Sequence, residues 1–186
     1  KEEGKEEAPA ETGAVTEMPT DGEPDADQYI NTFDTAHPNT LDPAKGSDMY
    51  GNGILLNIIE PLVRIQDVKG QMGSVEYVPA GAESWDISED GLTYTFHIRE
   101  GNVWNDGTPV TAKDYEFGIK RCIDPRTACP FANNTYYIKG AEKVNKTKLA
   151  EDEEPDYSEV GVVAKDDKTL EITLEHPVPF FIDIVT

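Results

Sequence analysis

The sequence is short of positive charge: 16 basic side chains stand against 37 acidic ones, a formal net charge of −21 over 186 residues. Phosphate recognition draws its affinity from clustered Lys and Arg that release counterions, so nucleic-acid binding is excluded. Long apolar runs are missing as well. The richest stretch, Ile54-Leu55-Leu56-Asn57-Ile58-Ile59, falls far short of the roughly 18 residues that span a bilayer as a helix. The opening Lys1-Glu2-Glu3-Gly4 lacks the apolar centre of a signal peptide, so any targeting segment is expected to have been removed. Catalytic signatures are equally sparse. His37, His97 and His176 have no partner at metal-ligand spacing, and there is no His-Glu-x-x-His, Gly-x-Ser-x-Gly or phosphate-cradling loop. Carboxylate pairs occur everywhere in so acidic a chain and therefore discriminate nothing. The chain is read as a non-enzyme without metal or cofactor.

Cysteine is scarce too. Cys122 and Cys129, with six residues between them, are the only two. The spacing is wrong for a Cys-x-x-Cys redox or zinc motif, and two ligands do not make a structural zinc site. Two readings stand: a disulfide in an exported chain, or two reduced, buried thiols.

What charge there is falls unevenly. Residues 1–27 hold two basic and ten acidic side chains, a net −8, and contain no Leu, Ile, Phe, Tyr or Trp. Such a segment cannot bury enough apolar surface to offset its ordering entropy and is expected to be a disordered acidic tether. The other 159 residues carry −13 and all 16 aromatics, enough for one domain with a real core. A second acidic run at 151–156 reads as an exposed loop. It lacks the alternating oxygen ligands and turn glycine of a calcium loop.

Along this body, 29–33 alternates as a first strand, and Ser47 is a candidate cap for a helix carrying Tyr50, Ile54, Leu55, Ile58 and Leu62 as a core stripe, ended by Pro61. Trp85 and Ile87 share a strand face, Glu89-Asp90-Gly91 is a turn, and 93–99 alternates without a fault, which predicts a hairpin with Tyr94, Phe96 and Ile98 inward. Trp85 and Trp104 are read as core, and His97 as a solvated surface residue. Thr111, with Asp114 three residues on, caps a helix that presents Tyr115, Ile119 and Cys122 on one face and stops at Asp124-Pro125. A second hairpin places Val160 and Val162 on one arm, Asp166-Asp167-Lys168 at the turn, and Leu170, Ile172 and Leu174 on the other. Strands and helices mix without regular alternation, so the fold class is mixed α/β (α+β), with a largely antiparallel sheet and flanking helices.

Several of these stretches form a connected string. Trp85-Asp86-Ile87-Ser88-Glu89-Asp90-Gly91-Leu92-Thr93-Tyr94-Thr95-Phe96, followed by Val103-Trp104-Asn105-Asp106-Gly107-Thr108-Pro109-Val110-Thr111-Ala112-Lys113-Asp114, resembles the signature of the family 5 extracellular solute-binding proteins of ABC importers. Thr40-Leu41-Asp42-Pro43 and Ile59-Glu60-Pro61-Leu62 fit upstream in the same order. Downstream, Asp124-Pro125-Arg126-Thr127-Ala128-Cys129-Pro130-Phe131-Ala132 and Leu174-Glu175-His176-Pro177-Val178-Pro179-Phe180-Phe181 look like the oligopeptide-binding branch.

The resemblance implies a type II periplasmic-binding-protein-like fold. It divides the chain into the tether (1–27), a first strand and ligand-facing loop of lobe I (28–45), an accessory domain (46–175) and a return segment to lobe I (176–186). Family members are much longer, so the chain is expected to be an N-terminal fragment without the opposing lobe. The implied partners are an oligopeptide ligand and the permease subunits of an importer. The implied setting is the extracellular face of the cell membrane, as a lipoprotein, or the periplasm, with membrane contact only through a lipid anchor, as a monomer. Ala36, His37, Pro38, Asn39 and Thr40 are the residues expected to line the ligand cleft, where extended backbone would pair with peptide main chain. Pro38 removes one donor from that strip. Alternatives are a binder of dipeptides, nickel or another small solute in the same family, or a stand-alone extracellular interaction module.

Overall fold

The computed structural model describes residues 36–69, 71, 73–150 and 152–186; the acidic head and the strand expected at 29–33 lie outside them. The alternating stretch that dominates the sequence becomes the centre of the sheet. Strand β3 (Ala82–Ile87) pairs antiparallel with β4 (Thr93–Ile98), Trp85 opposite Phe96 and Ile87 opposite Tyr94. Between them the Asp90 carboxylate accepts from the Leu92 N–H at 3.0 Å and the Ser88 hydroxyl at 2.6 Å. Gly91 takes φ 69°, a left-handed conformation that glycine adopts without steric cost. Burial along β4 alternates as the pattern requires, with Tyr94, Phe96 and Ile98 inside.

The second hairpin supplies β5 (Val162–Ala164) and β6 (Thr169–Thr173), with Val162, Leu170 and Ile172 fully buried. The four strands run in the order β3-β4-β6-β5, every neighbouring pair antiparallel. Helix α2 (Ala112–Ile123) lies against β5 and β6. Its first turn is fixed as expected: the Asp114 carboxylate accepts from the Thr111 N–H at 2.7 Å and from the Thr111 hydroxyl at 2.9 Å. Tyr115 and Ile119 pack on the core, Ile123 is fully buried, and Asp124 ends the helix ahead of Pro125. A 3-10 turn (Ala132–Thr135) and the short α3 (Ala141–Asn145) pack beside α2. The last helix, α4 (Phe181–Ile184), inserts Phe181 against Tyr94 with ring centroids 4.8 Å apart. Val178, Phe181 and Ile182 join the same core, so residues 36–186 form one unit.

Three readings of the sequence need correction. Helix α1 (Met49–Ile58) is capped by Asp48, not Ser47: the Asp48 side chain accepts from the Gly51 N–H at 2.8 Å. Its expected core stripe holds only in part: Ile58 faces out, and Tyr50 is half-buried. Leu55 is buried and Ile54 half-buried, but Ile58 is 65% exposed, and Leu62 is buried only because it lies beyond Pro61, where the chain joins the sheet. There the Leu62 carbonyl accepts from Ala82 N–H at 2.9 Å. Trp104 is the third case, half exposed rather than core. It sits in a tight loop, its N–H donating to the Thr108 carbonyl and its carbonyl accepting from Gly107 N–H, which turns the ring outward. Trp85 does pack on the core.

A two-stranded ribbon, β1 (Val63–Asp67) with β2 (Val75–Pro79), adds a small second sheet in which Val63 and Ile65 alternate with polar neighbours. Only Val63 is buried, so the ribbon carries little core signal.

Candidate ligand-facing segment and its supports

Residues 36–40 form an irregular strip in which Ala36, His37 and Asn39 are exposed and Pro38 and Thr40 half-buried. Local chemistry holds it in place. Asp48 has two roles: besides capping α1, its Oδ2 accepts from the Asn39 N–H at 3.2 Å. The Thr40 hydroxyl accepts from the Asp42 N–H at 3.0 Å. The Asp42 carbonyl then accepts from the Lys45 and Gly46 N–H groups at 3.0 and 2.9 Å, turning the chain into α1. Gly51 is needed where the strip crosses the helix, because a Cβ there would lie 2.8 Å from the Thr40 carbonyl oxygen.

The strip is also tied to a distant element. Arg121, in the last turn of α2, donates from Nη1 to Asp42 Oδ1 at 2.6 Å and from Nη2 to Oδ2 at 2.5 Å. This fork-on-fork geometry, partly shielded from water, is the strongest form of ion pair available to side chains. The guanidinium holds the Asp42 carboxyl down at about 2, below its ordinary 3.8. Asp48 is likewise lowered, chiefly by the Gly51 N–H.

Just beyond Arg121 the end of α2 forms a second polar cluster. Asp124, the one buried charged residue among those described, accepts from the Arg126 N–H at 2.8 Å, from the Arg126 guanidinium, and from the Tyr157 hydroxyl at 3.2 Å. Arg126 lowers the Asp124 pKa, and burial pushes the Tyr157 hydroxyl up to about 12. Arg126 also grips Glu154 of the acidic loop with two bonds of 2.8 Å. An open groove of about 560 Å³ runs between these groups, lined by Phe117, Lys120, Arg121, Arg126, Glu154 and Tyr157. Its charges are engaged in ion pairs: Lys120 with Glu116, Arg121 with Asp42, and Arg126 with Asp124 and Glu154.

The two cysteines stand at the same helix end. Cys122 Sγ lies 3.1 Å from Cys129 Sγ, both thiols free and half-buried. His97 is on the outer face of β4, 2.9 Å from Asp86 Oδ2. Among the described residues no group of three or more His, Cys, Asp or Glu side chains is arranged to hold a metal ion, and none of the described helices is long and apolar enough to cross a membrane.

Sequence reasoning found the strip through its resemblance alone. It missed Asp48, Asp42 and Arg121 as its supports. An Asp before Pro43 signals a turn, but nothing local links it to an arginine 79 positions away.

The arrangement presents backbone and small polar groups rather than a reacting centre. Asn39 N–H is already taken by Asp48 and Pro38 has none, so main-chain pairing at those two positions is limited to their carbonyls.

With this geometry in view, residues 76–186 match the family model of bacterial extracellular solute-binding proteins, family 5. A probable deoxycholate-binding periplasmic protein of Escherichia coli is 42% identical over 154 residues, 83% of this chain and 26% of its own. A dipeptide-binding protein of Bacillus subtilis is 40% identical over 158 residues, 85% of this chain and 26% of its own. Among solved structures, peptide-bound OppA of Listeria monocytogenes superposes with a TM-score of 0.69 at 31% identity, covering 82% of this chain and 28% of that one. The chain thus spans about a quarter of the length of the relatives it matches.

Proposed function

From the premise that this chain belongs to the bacterial extracellular solute-binding proteins of family 5, we propose that it is part of a receptor that captures oligopeptides outside the cell membrane and delivers them to the permease of an ABC importer. Ala36, His37, Pro38, Asn39 and Thr40 face the ligand in this reading, on the lobe I side of the 45/46 boundary, and the sheet with α2 and α3 is the accessory domain. The observation that carries it is the exposed strip held open by Asp48 and by the Arg121–Asp42 pair. Its supports lie behind it and leave His37 and Asn39 toward solvent. Backbone contacts suit a receptor for many peptides, since the main chain is common to all of them. Residues 1–27 serve as the spacer between a lipid-anchored end and the folded unit, and the receptor acts as a monomer.

A second reading has one specific support. The deoxycholate-binding relative is as similar as the dipeptide-binding one, so a small amphipathic solute is the alternative ligand. Calorimetry separates the two. The full-length receptor, stripped of co-purified ligand, is titrated with a mixture of short peptides and separately with deoxycholate. Heat with the peptides alone is expected. Heat with deoxycholate and none with peptides would overturn the oligopeptide assignment.

A further inference from the structure

Two features at the end of α2 remain unused by ligand capture. Cys122 and Cys129 are the only cysteines in the chain, and their sulfurs lie 3.1 Å apart. Neither is part of a metal set among the described residues. The intervening loop is built to bring them together. The Thr127 N–H returns to the Asp124 carbonyl at 3.0 Å, the Arg126 N–H is held by the Asp124 carboxylate at 2.8 Å, and Ala132 N–H donates to the Cys129 carbonyl at 3.3 Å. Ala128, directly before Cys129, adopts φ 53°, the only left-handed non-glycine among the described residues. A side chain in that region costs energy and persists only where its surroundings hold it there. Here the result is to turn Cys129 back onto the helix.

We propose that Cys122 and Cys129 form an intramolecular disulfide that staples the last turn of α2 to the loop after it and so backs the Arg121–Asp42 pair. The sulfurs need to close by only about 1 Å to reach bonding distance, a shift within reach of side-chain rotation. The oxidant is an external disulfide of the kind found in oxidising compartments. One cysteine thiolate attacks it and releases one small thiol. The second cysteine then attacks the mixed disulfide and releases the other. Two protons and two electrons leave the pair, and the external disulfide is reduced to two thiols. Burial, and then the neighbouring Cys129 sulfur, raise the Cys122 pKa, which makes Cys122 a poor attacking group in the packed state. The inference stands apart from the ligand assignment.

The test begins with the reduced, unfolded chain, refolded in a mixture of oxidised and reduced glutathione. It is then quenched with N-ethylmaleimide in denaturant and weighed intact. The expected product carries no maleimide and no glutathione, and takes up two maleimides only after reduction. Two maleimides without reduction, or a stable glutathione adduct, would overturn the proposal. A second readout is thermal melting, where the oxidised chain should melt about 5 °C above the reduced one. Cys129→Ser, placed in the loop rather than the helix, should melt at the same temperature with or without reductant. A reductant-sensitive melt in Cys129→Ser, or equal melts for the two forms of the unaltered chain, would count against the staple.

Discussion

Arg121 and Asp42 meet as a two-pronged pair across 79 positions of sequence, with N–O distances of 2.6 and 2.5 Å. The pair joins the last turn of the helix beside the sheet to the turn that follows the exposed strip. It is the one described ion pair between α2 and the 36–46 region, so the position of the strip depends on it.

Arg121→Ala should lower unfolding free energy by about 1–2 kcal/mol, because a partly buried carboxylate loses both charged donors. Arg121→Lys should recover only part, since a point charge cannot bridge both oxygens. Urea denaturation of the three chains checks this, and equal midpoints for all of them would show that the pair is idle.

Acid should act through the same carboxylate. Its folded pKa, about 2, is below the unfolded value near 3.8, so its contribution is complete above about pH 4 and is lost as pH falls towards 2. Asp48, Asp90, Asp106 and Asp124 are lowered too and lose stability in the same direction, so the difference between two proteins is the informative quantity. Asp42→Asn should give a shallower fall in stability between about pH 4 and pH 2 than the unaltered chain. Parallel curves would refute the assignment.

Two glycines in α1 should respond oppositely to alanine. At Gly53 an added Cβ meets nothing within 4 Å, so Gly53→Ala should gain about 0.5–1 kcal/mol from helix propensity. At Gly51 the same methyl would press on the Thr40 carbonyl at 2.8 Å and on Asp48 Oδ2 at 3.2 Å. Gly51→Ala should therefore cost about 1 kcal/mol or more despite the better propensity, as the strip or the cap gives way. Thermal melts of both variants suffice, and a stabilised Gly51→Ala would contradict the close packing of strip on helix.

How much could be read from the sequence follows from how local each signal is. The β3–β4 hairpin, the Thr111–Asp114 cap and the β5–β6 hairpin were legible because alternation and capping act within a few residues. The α1 stripe misled at Ile58, which is spaced like a core residue and yet stays exposed. Trp104 misled because its size suggested burial while its loop turned it out. The Arg121–Asp42 and Tyr157–Asp124 contacts arise only when the chain has folded back on itself, and no short window contains them. The strip at 36–40, proposed to face ligand, has no signal of its own beyond a family likeness.

The strand order has a consequence for how such a chain can be made. Strand β4 is hydrogen-bonded to β3 on one side and to β6 on the other, and β6 begins roughly 70 residues after β4 ends. A polypeptide that emerges N-terminus first, whether from the ribosome or through a membrane, completes the β3–β4 hairpin early. It then carries an open β4 edge, with the apolar side of Tyr94, Phe96 and Ile98 uncovered, until β6 arrives. During that interval the half-made sheet is a template for pairing with other chains, and the time until β6 arrives, rather than the stability of the finished unit, sets the window for aggregation.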